Sequence, residues 1–185
     1  MRIEVSTLVT FPVYRSFYLF NFLQGKRSPW QARLTLIMPV LLFILMTVLY
    51  ALDPVDPFNL IGIVVSLALI VLLTLILTIM PKRYYRSVLP YLDGPTSFVF
   101  RDDGFEVDST STRWHGHTDS AYDLLHKAYE TDGFFYLYIS KNQAHIVGKA
   151  DMAPGTPADL SRLFAEKLGN CFMMTSAAKK SAIKA

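Results

Sequence analysis

The sequence predicts an α+β membrane protein: an amino-terminal amphipathic helix, a two-helix transmembrane hairpin, and a cytoplasmic antiparallel β domain of about six strands capped by a carboxy-terminal helix. Three observations predict it. The runs Leu34 to Leu52 and Leu60 to Met80 hold no Asp, Glu, Lys, Arg or His, and each reaches the ~20 residues needed to cross a hydrocarbon core. The acidic turn Asp53-Pro54-Val55-Asp56-Pro57-Phe58-Asn59 separates them, and seven residues allow only an antiparallel hairpin. From about Pro95 the chain turns polar, with turn signals roughly every ten residues.

Residues 1–28 read as an arm. Arg2-Ile3-Glu4-Val5-Ser6 alternates as a short strand does. Phe11, Tyr14, Tyr18 and Phe22 then recur at helical spacing, with Pro12 in the first turn, Phe17 and Phe20 widening the stripe and Gly25 ending it. With Arg15, Lys26 and Arg27 beside the aromatics, the segment suits an anionic membrane interface, the alternative being that the rings pack on the β domain.

Residues 29–86 form the hairpin, with spans at 34–52 and 60–80. The second span contains fifteen Leu, Ile and Val, each favouring the bilayer centre by about 0.3–0.6 kcal/mol. The first is longer than the apolar core of a signal peptide and no small-residue cleavage pattern follows it. Lys26, Arg27 and Arg33 precede the first span and Lys82, Arg83 and Arg86 follow the second, while the turn carries Asp53 and Asp56. Positive flanks stay inside, so both termini are expected in the cytoplasm of a multi-pass protein of the cytoplasmic (inner) membrane. Trp30, Tyr50, Tyr84 and Tyr85 stand at the span borders as expected membrane anchors. Pro39 is expected to kink the first span, which membrane helices tolerate. Gly62, Ser66, Thr74 and Thr78 supply small or polar positions for packing on the first span or on another subunit. Uncharged spans argue against a transporter or channel acting alone. The single Cys171 cannot form an internal disulfide, and its place after an apolar helix reads as an inert core thiol.

Residues 95–172 are expected to form the β domain. Its strands read as Ser97 to Phe100, Phe105 to Asp108, Arg113 to about Ala121, His126 to Tyr129, Phe134 to Ile139 and Ala144 to Val147. Turns at Asp102-Asp103-Gly104, Ser109 to Thr112, Tyr122 to Leu125, Thr131-Asp132-Gly133 and Ser140 to Gln143 connect them. After Pro154-Gly155, Leu160, Leu163, Phe164 and Leu168 mark one face of a helix from Thr156 to Asn170. Residues 173–185, with Lys179, Lys180 and Lys184, read as a disordered basic tail. Thirteen Lys and Arg against twelve Asp and Glu over residues 81–185 leave no nucleic-acid footprint.

The candidate chemistry is sparse. His115, His117 and Asp119 would share one face of a strand and are competent metal ligands, although solvated polar alternation gives the same pattern. Lys149, with Arg101 or Arg113, is a candidate for pairing with a lipid phosphate, against ordinary solvent exposure. Tyr136 and Tyr138, with Tyr129, Phe134 and Phe135, read as core plus one flanking face that could be an interaction patch. Glycine-rich phosphate loops, nucleophile elbows and paired-cysteine knuckles are absent, so no catalytic residue and no cofactor is assigned.

Phe100-Arg101-Asp102-Asp103-Gly104-Phe105, Leu125-His126-Lys127-Ala128-Tyr129-Glu130-Thr131, Phe134-Phe135-Tyr136-Leu137-Tyr138 and Ile146-Val147-Gly148-Lys149, set after the hairpin, resemble the bacterial YcxB-like proteins over roughly residues 95–170. The resemblance implies a small β domain with a carboxy-terminal helix, similar to bacterial pleckstrin-homology (PH)-like modules and held at the inner membrane face. It implies no enzyme activity and no established site. The expected function is therefore a membrane-anchored, non-enzymatic cytoplasmic interaction or regulatory module, whose partner is a protein or a second copy of the chain. Anionic lipid headgroup binding and metal-dependent chemistry at His115/His117 are the alternatives.

Overall fold

The structure, a computed structural model, describes residues 2–25, 29–141, 143–150, 152–175 and 178. Lys26, Arg27 and the tail lysines Lys179, Lys180 and Lys184 lie outside the described residues. The chain divides into a β unit, made of residues 1–10 and 88–185, and a helical unit of residues 11–87.

In the β unit, β1 (Ile3–Thr7), β2 (Thr96–Phe100), β3 (Phe105–Thr110) and β4 (His115–Ser120) form an antiparallel sheet in that order. Strands β5 (Lys127–Glu130), β6 (Phe134–Tyr138), β7 (Ala144–Gly148) and β8 (Phe172–Met174) form a second sheet ordered β7-β6-β5-β8, in which β8 runs parallel to β5. Among the described residues these eight strands comprise the six expected of the β domain, the arm strand that the alternation at Arg2 to Ser6 predicts, here β1, and the unexpected β8. The second sheet is therefore mixed rather than purely antiparallel, and the segment expected as tail begins with a strand over Met173 and Met174.

Two-residue periodicity explains the first sheet. Ile3, Val5, Phe98, Phe100, Phe105 and Val107 all face inward and are buried, and the register sets Ile3 opposite Phe100, Val5 opposite Phe98 and Phe98 opposite Val107. The two sheets meet at β1. The Gly148 amide donates to Thr7 Oγ1 at 2.9 Å, the Glu4 amide to the Pro154 carbonyl at 3.1 Å and the Ala153 amide to the Glu4 carbonyl at 3.0 Å. Residue 155 must be glycine here: its φ is 108°, and a Cβ would stand 2.8 Å from Ile3 Cγ1.

Helix α4 (Pro157–Leu168) closes the core with Leu160, Leu163 and Phe164. It starts where Thr156 Oγ1 accepts from the Asp159 amide and ends at Gly169, with φ of 49°. Phe164 is the aromatic hub, its centroid 5.5 Å from Phe100, 5.6 Å from Phe135, 5.9 Å from Phe172 and 6.1 Å from Tyr122.

The helical unit holds α1 (Phe11–Phe20), continued by one π-helical turn at Asn21–Gly25, then α2 (Pro29–Leu52) and the greater part of α3 (Pro57–Leu92). Helices α2 and α3 are long and apolar enough to cross a membrane, the most apolar 18-residue stretches within Arg33–Leu52 and Pro57–Leu92 having mean hydropathies of 2.5 and 3.2. Their hydrocarbon side chains are exposed rather than packed in a protein core; Leu41 and Ile44 are each 53% exposed. Their hydroxyls are satisfied internally. Thr47 donates to the Phe43 carbonyl, Ser66 to Ile63, Thr74 to Ile70 and Thr78 to Thr74, at 2.6–2.9 Å. Gly62 lies against Met46 of α2, where a Cβ would be 2.5 Å from the sulfur.

Ile3→Ala should cost roughly 2–5 kcal/mol and Phe164→Ala roughly 3–5 kcal/mol, whereas Arg2→Ala should stay within about 0.5 kcal/mol. Denaturant unfolding of the full chain in detergent, followed by tryptophan fluorescence, checks this; an Ile3→Ala effect as small as that of Arg2→Ala would remove β1 from the core.

Candidate functional site

Strand β4 is the free edge of the first sheet, and its side chains are polar as an unpaired edge requires. The register places Asp108 opposite His117 and Glu106 opposite Asp119, with Thr110 opposite His115. His117 Nδ1 lies 2.6 Å from Asp108 Oδ1 and its Nε2 lies 3.5 Å from Asp119 Oδ2. The hydrogen bond and the charge of Asp108 hold the imidazole above its ordinary value, with Asp119 adding to the effect. Both ring nitrogens are thus occupied by carboxylates. Among the described residues no group of three or more His, Cys, Asp or Glu is arranged to hold a metal ion. His115, His117 and Asp119 lie on a solvated strand face, where His117 stands between the carboxylates of Asp108 and Asp119.

A cleft of about 310 Å³ opens beside this edge, lined in part by Arg101, Asp103, Glu106 and Asp119. Arg101 pairs with Glu106, so the cleft's one guanidinium is neutralised and two further carboxylates remain. Its charge repels anions, which removes Arg101 as a phosphate ligand there. Arg113 is exposed in the β3–β4 turn, a turn tied by Thr112 to the Asp93 carboxylate. The two arginines are not brought together with Lys149 into a cationic site.

Lys149 corrects the sequence reading most sharply. Its Nζ donates to Glu130 Oε1 at 2.6 Å and stands 4.9 Å from the centroid of Phe135, and the side chain is only 15% exposed. Ser161 of α4 donates to the other oxygen, Glu130 Oε2, also at 2.6 Å. The carboxylate of β5 therefore gathers a lysine from the end of β7 and a hydroxyl from the helix, inside the fold. This ammonium is neither solvent-exposed nor available to a lipid phosphate. The sequence signal that could have found the contact is Glu130 itself, an acid two residues on from Ala128 and so on the same, inward face of β5.

Tyr136 and Tyr138 are also buried, 1% and 3% exposed, on the opposite face of β6 from the core residues Phe135 and Leu137. Strand β6 is covered on both faces, so the two tyrosines are not the interaction patch that their spacing permits. Burial raises Tyr136 to about 12. Cys171, expected in the core, is exposed at the end of the 3₁₀ turn Gly169–Cys171.

In the helical unit the aromatic stripe of α1 packs on α3. Phe11 and Tyr14 each lie 5.6 Å from Tyr85, Tyr18 lies 6.3 Å from Tyr84, and the Tyr18 hydroxyl donates to the Ile76 carbonyl at 3.4 Å. Tyr84 and Tyr85, expected as membrane anchors, are partners of this stripe, while Trp30 is 71% exposed and Tyr50 36% exposed at the ends of α2. The other side of α3 is cationic. Thr78, Ile79, Lys82, Arg83 and Arg86 line a cavity of about 520 Å³. The sequence used these three cations for orientation; Arg86 lies at i+4 from Lys82 and i+3 from Arg83, which also makes them one stripe.

Residues 100–164 match the family model described as "YcxB-like protein", which establishes the YcxB-like resemblance for that part of the β unit. No curated protein and no solved structure matches. The matched span runs from the last residue of β2 into α4, and leaves β1 and both long apolar helices outside it.

Two outcomes are expected of these contacts. Lys149→Met should destabilise the β unit by roughly 3–5 kcal/mol by stranding a buried carboxylate, and adding Glu130→Gln to it should recover part of the loss; equal losses would show that the pair is uncoupled. The His117 contribution is present in full below about pH 6.5 and is lost as pH rises through the raised folded value. His145, edge-on to Phe98 and held below its ordinary value by burial, acts with the opposite sign, its contribution being present in full above about pH 6.5 and lost as pH falls through the lowered folded value. The stability gap between wild type and His117→Gln should therefore be full below about pH 6.5 and shrink as pH rises above it, read as melting temperature across a pH series. A gap independent of pH would show that His117 does not titrate against the two acids.

Proposed function

We propose that this protein is a membrane-anchored, non-enzymatic interaction or regulatory module at the cytoplasmic face of the inner membrane. One observation carries the reading. Strand β1, which precedes both apolar helices, pairs along its length with β2, which follows them, so the two ends of the hairpin enter a single folded unit. Helices of this hydropathy whose Leu, Ile and Val side chains are exposed require an apolar surrounding that the protein does not itself provide. Two crossings joined to a shared fold support both flanks on one side, and Lys82, Arg83 and Arg86 after the second helix favour the cytoplasmic side. We read the paired four-stranded sheets closed by α4 as a PH-like module, and its partner as a protein or a second copy of this chain.

The non-enzymatic reading is supported by the use to which the reactive side chains are put. Glu130, Lys149 and Ser161 satisfy one another within the fold, and His117 is taken up by Asp108 and Asp119.

Topology is tested with the exposed Cys171 and with a Val55→Cys variant in a Cys171→Ser background, Val55 being 88% exposed in the turn. A membrane-impermeant maleimide should label position 55 in intact cells after the outer layers are opened, and Cys171 only after the inner membrane is breached. The reverse pattern would sink the cytoplasmic assignment. A photoreactive residue at Trp114, which is 49% exposed, should capture a discrete protein adduct or a doubled chain in cells; capture of lipid alone would overturn the protein-partner reading.

A further inference from the structure

We infer that the cationic face of α3 is a binding site for the headgroup of an anionic phospholipid, formed by Lys82, Arg83 and Arg86 with Thr78 and Ile79 beneath them. The inference deepens the anchoring reading above and rests on it. Residues 78, 82 and 86 follow one another at i, i+4 and i+8, and residues 79 and 83 make the adjoining row, so the five form a continuous stripe. At 1.5 Å per residue the stripe is about 12 Å long, and its character changes from uncharged to cationic along that length. Ile79 contributes hydrocarbon. The Thr78 hydroxyl is already donated to the Thr74 carbonyl at 2.6 Å, which leaves that end of the stripe without a free donor.

Charge identifies the occupant. No Asp or Glu occurs in Pro57–Leu92, and none of Lys82, Arg83 and Arg86 has a carboxylate partner among the described residues. All three side chains are exposed around a cavity of about 520 Å³. Unneutralised guanidinium groups offer paired donors that match phosphate oxygens, and the lysine adds a point charge. The opposite side of the same helix segment is taken. Pro81 is buried, and Tyr84 and Tyr85 face the rings of Tyr18, Phe11 and Tyr14. The aromatic packing of α1 thus leaves the cations on the side of α3 away from α1, where a span whose most apolar stretch has a mean hydropathy of 3.2 reaches its charged end. A phosphodiester headgroup whose acyl chains run alongside Ile79 fits this arrangement, whereas a free aqueous anion would leave the apolar end without a partner.

The test uses the full chain, extracted in a mild non-ionic detergent and mixed with equal amounts of phosphatidylglycerol and phosphatidylcholine, with retained lipid read by native mass spectrometry. Wild type should retain phosphatidylglycerol over phosphatidylcholine by at least about tenfold, and Lys82→Gln/Arg83→Gln/Arg86→Gln should lose that preference. Lys127→Gln/Lys141→Gln, with cations removed from the β unit, should keep it. Unchanged melting of the β unit in the triple variant shows that the loss is not unfolding. Equal retention of the two lipids by wild type, or an undiminished preference in the triple variant, overturns the headgroup site. Alkaline extraction of membranes separates this from the premise: wild type released by alkali refutes anchoring, while wild type and triple variant both retained, with the preference lost only in the variant, support the site.

Discussion

The pairing of β1 with β2 is the constraint on which the rest of this protein depends. It joins Thr7 to Thr96 across the whole helical unit and makes the β unit discontinuous in sequence. Closing so long a segment costs conformational entropy, but that cost grows only logarithmically with length, and the intervening residues are largely helical. The return comes from burial. Ile3 and Val5 are 0% and 3% exposed, and Thr7 and Glu4 supply the hydrogen bonds that join the first sheet to β7 and to the segment before α4. Without β1, Phe98 and Phe100 would keep their partners on β3 but lose Val5 and Ile3 on the other side, and Gly155 would lose the isoleucine it lies against.

The Glu130 cluster is a second organising contact, of a different kind. A carboxylate that is 5% exposed must be neutralised or paired, and here it is bonded by Lys149 from one strand end and Ser161 from the helix. Such a pair contributes less to net stability than an apolar core would, yet it admits one relative placement of β5, β7 and α4. The orientation of Lys149 over Phe135 follows from that geometry. The same side chain that looks from sequence like a cation for a membrane phosphate is used to neutralise the carboxylate that Ser161 of the helix also bonds.

In the helical unit, two faces of one helix segment serve different ends. Tyr84 and Tyr85 meet the aromatic stripe of α1, and Lys82, Arg83 and Arg86 remain on the surface. Because α-helical periodicity separates residues 84 and 85 from residues 82, 83 and 86, a single stretch can carry both an aromatic seam and a cationic stripe.

The sequence by itself determined what periodicity and transfer free energy decide. The two apolar helices, the aromatic spacing of α1, six strands of the β unit with their turns, and α4 with its Thr156 and Gly169 ends are legible because each depends on residues close in the chain. The YcxB-like resemblance is legible for the same reason, being carried by local strand and turn patterns within residues 100–164. Only the tertiary structure decided which of those elements meet. That Arg2 to Ser6 is a core strand rather than a surface arm, that Phe172 to Met174 adds a parallel edge, that Tyr136 and Tyr138 are covered and Cys171 is not, all depend on contacts between distant residues. Charged side chains were the least legible of all. Lys149, Arg101 and Arg113 look alike in sequence, but whether a cation is free is settled by the acid that folding places beside it, and Glu130 and Glu106 were placed beside two of the three.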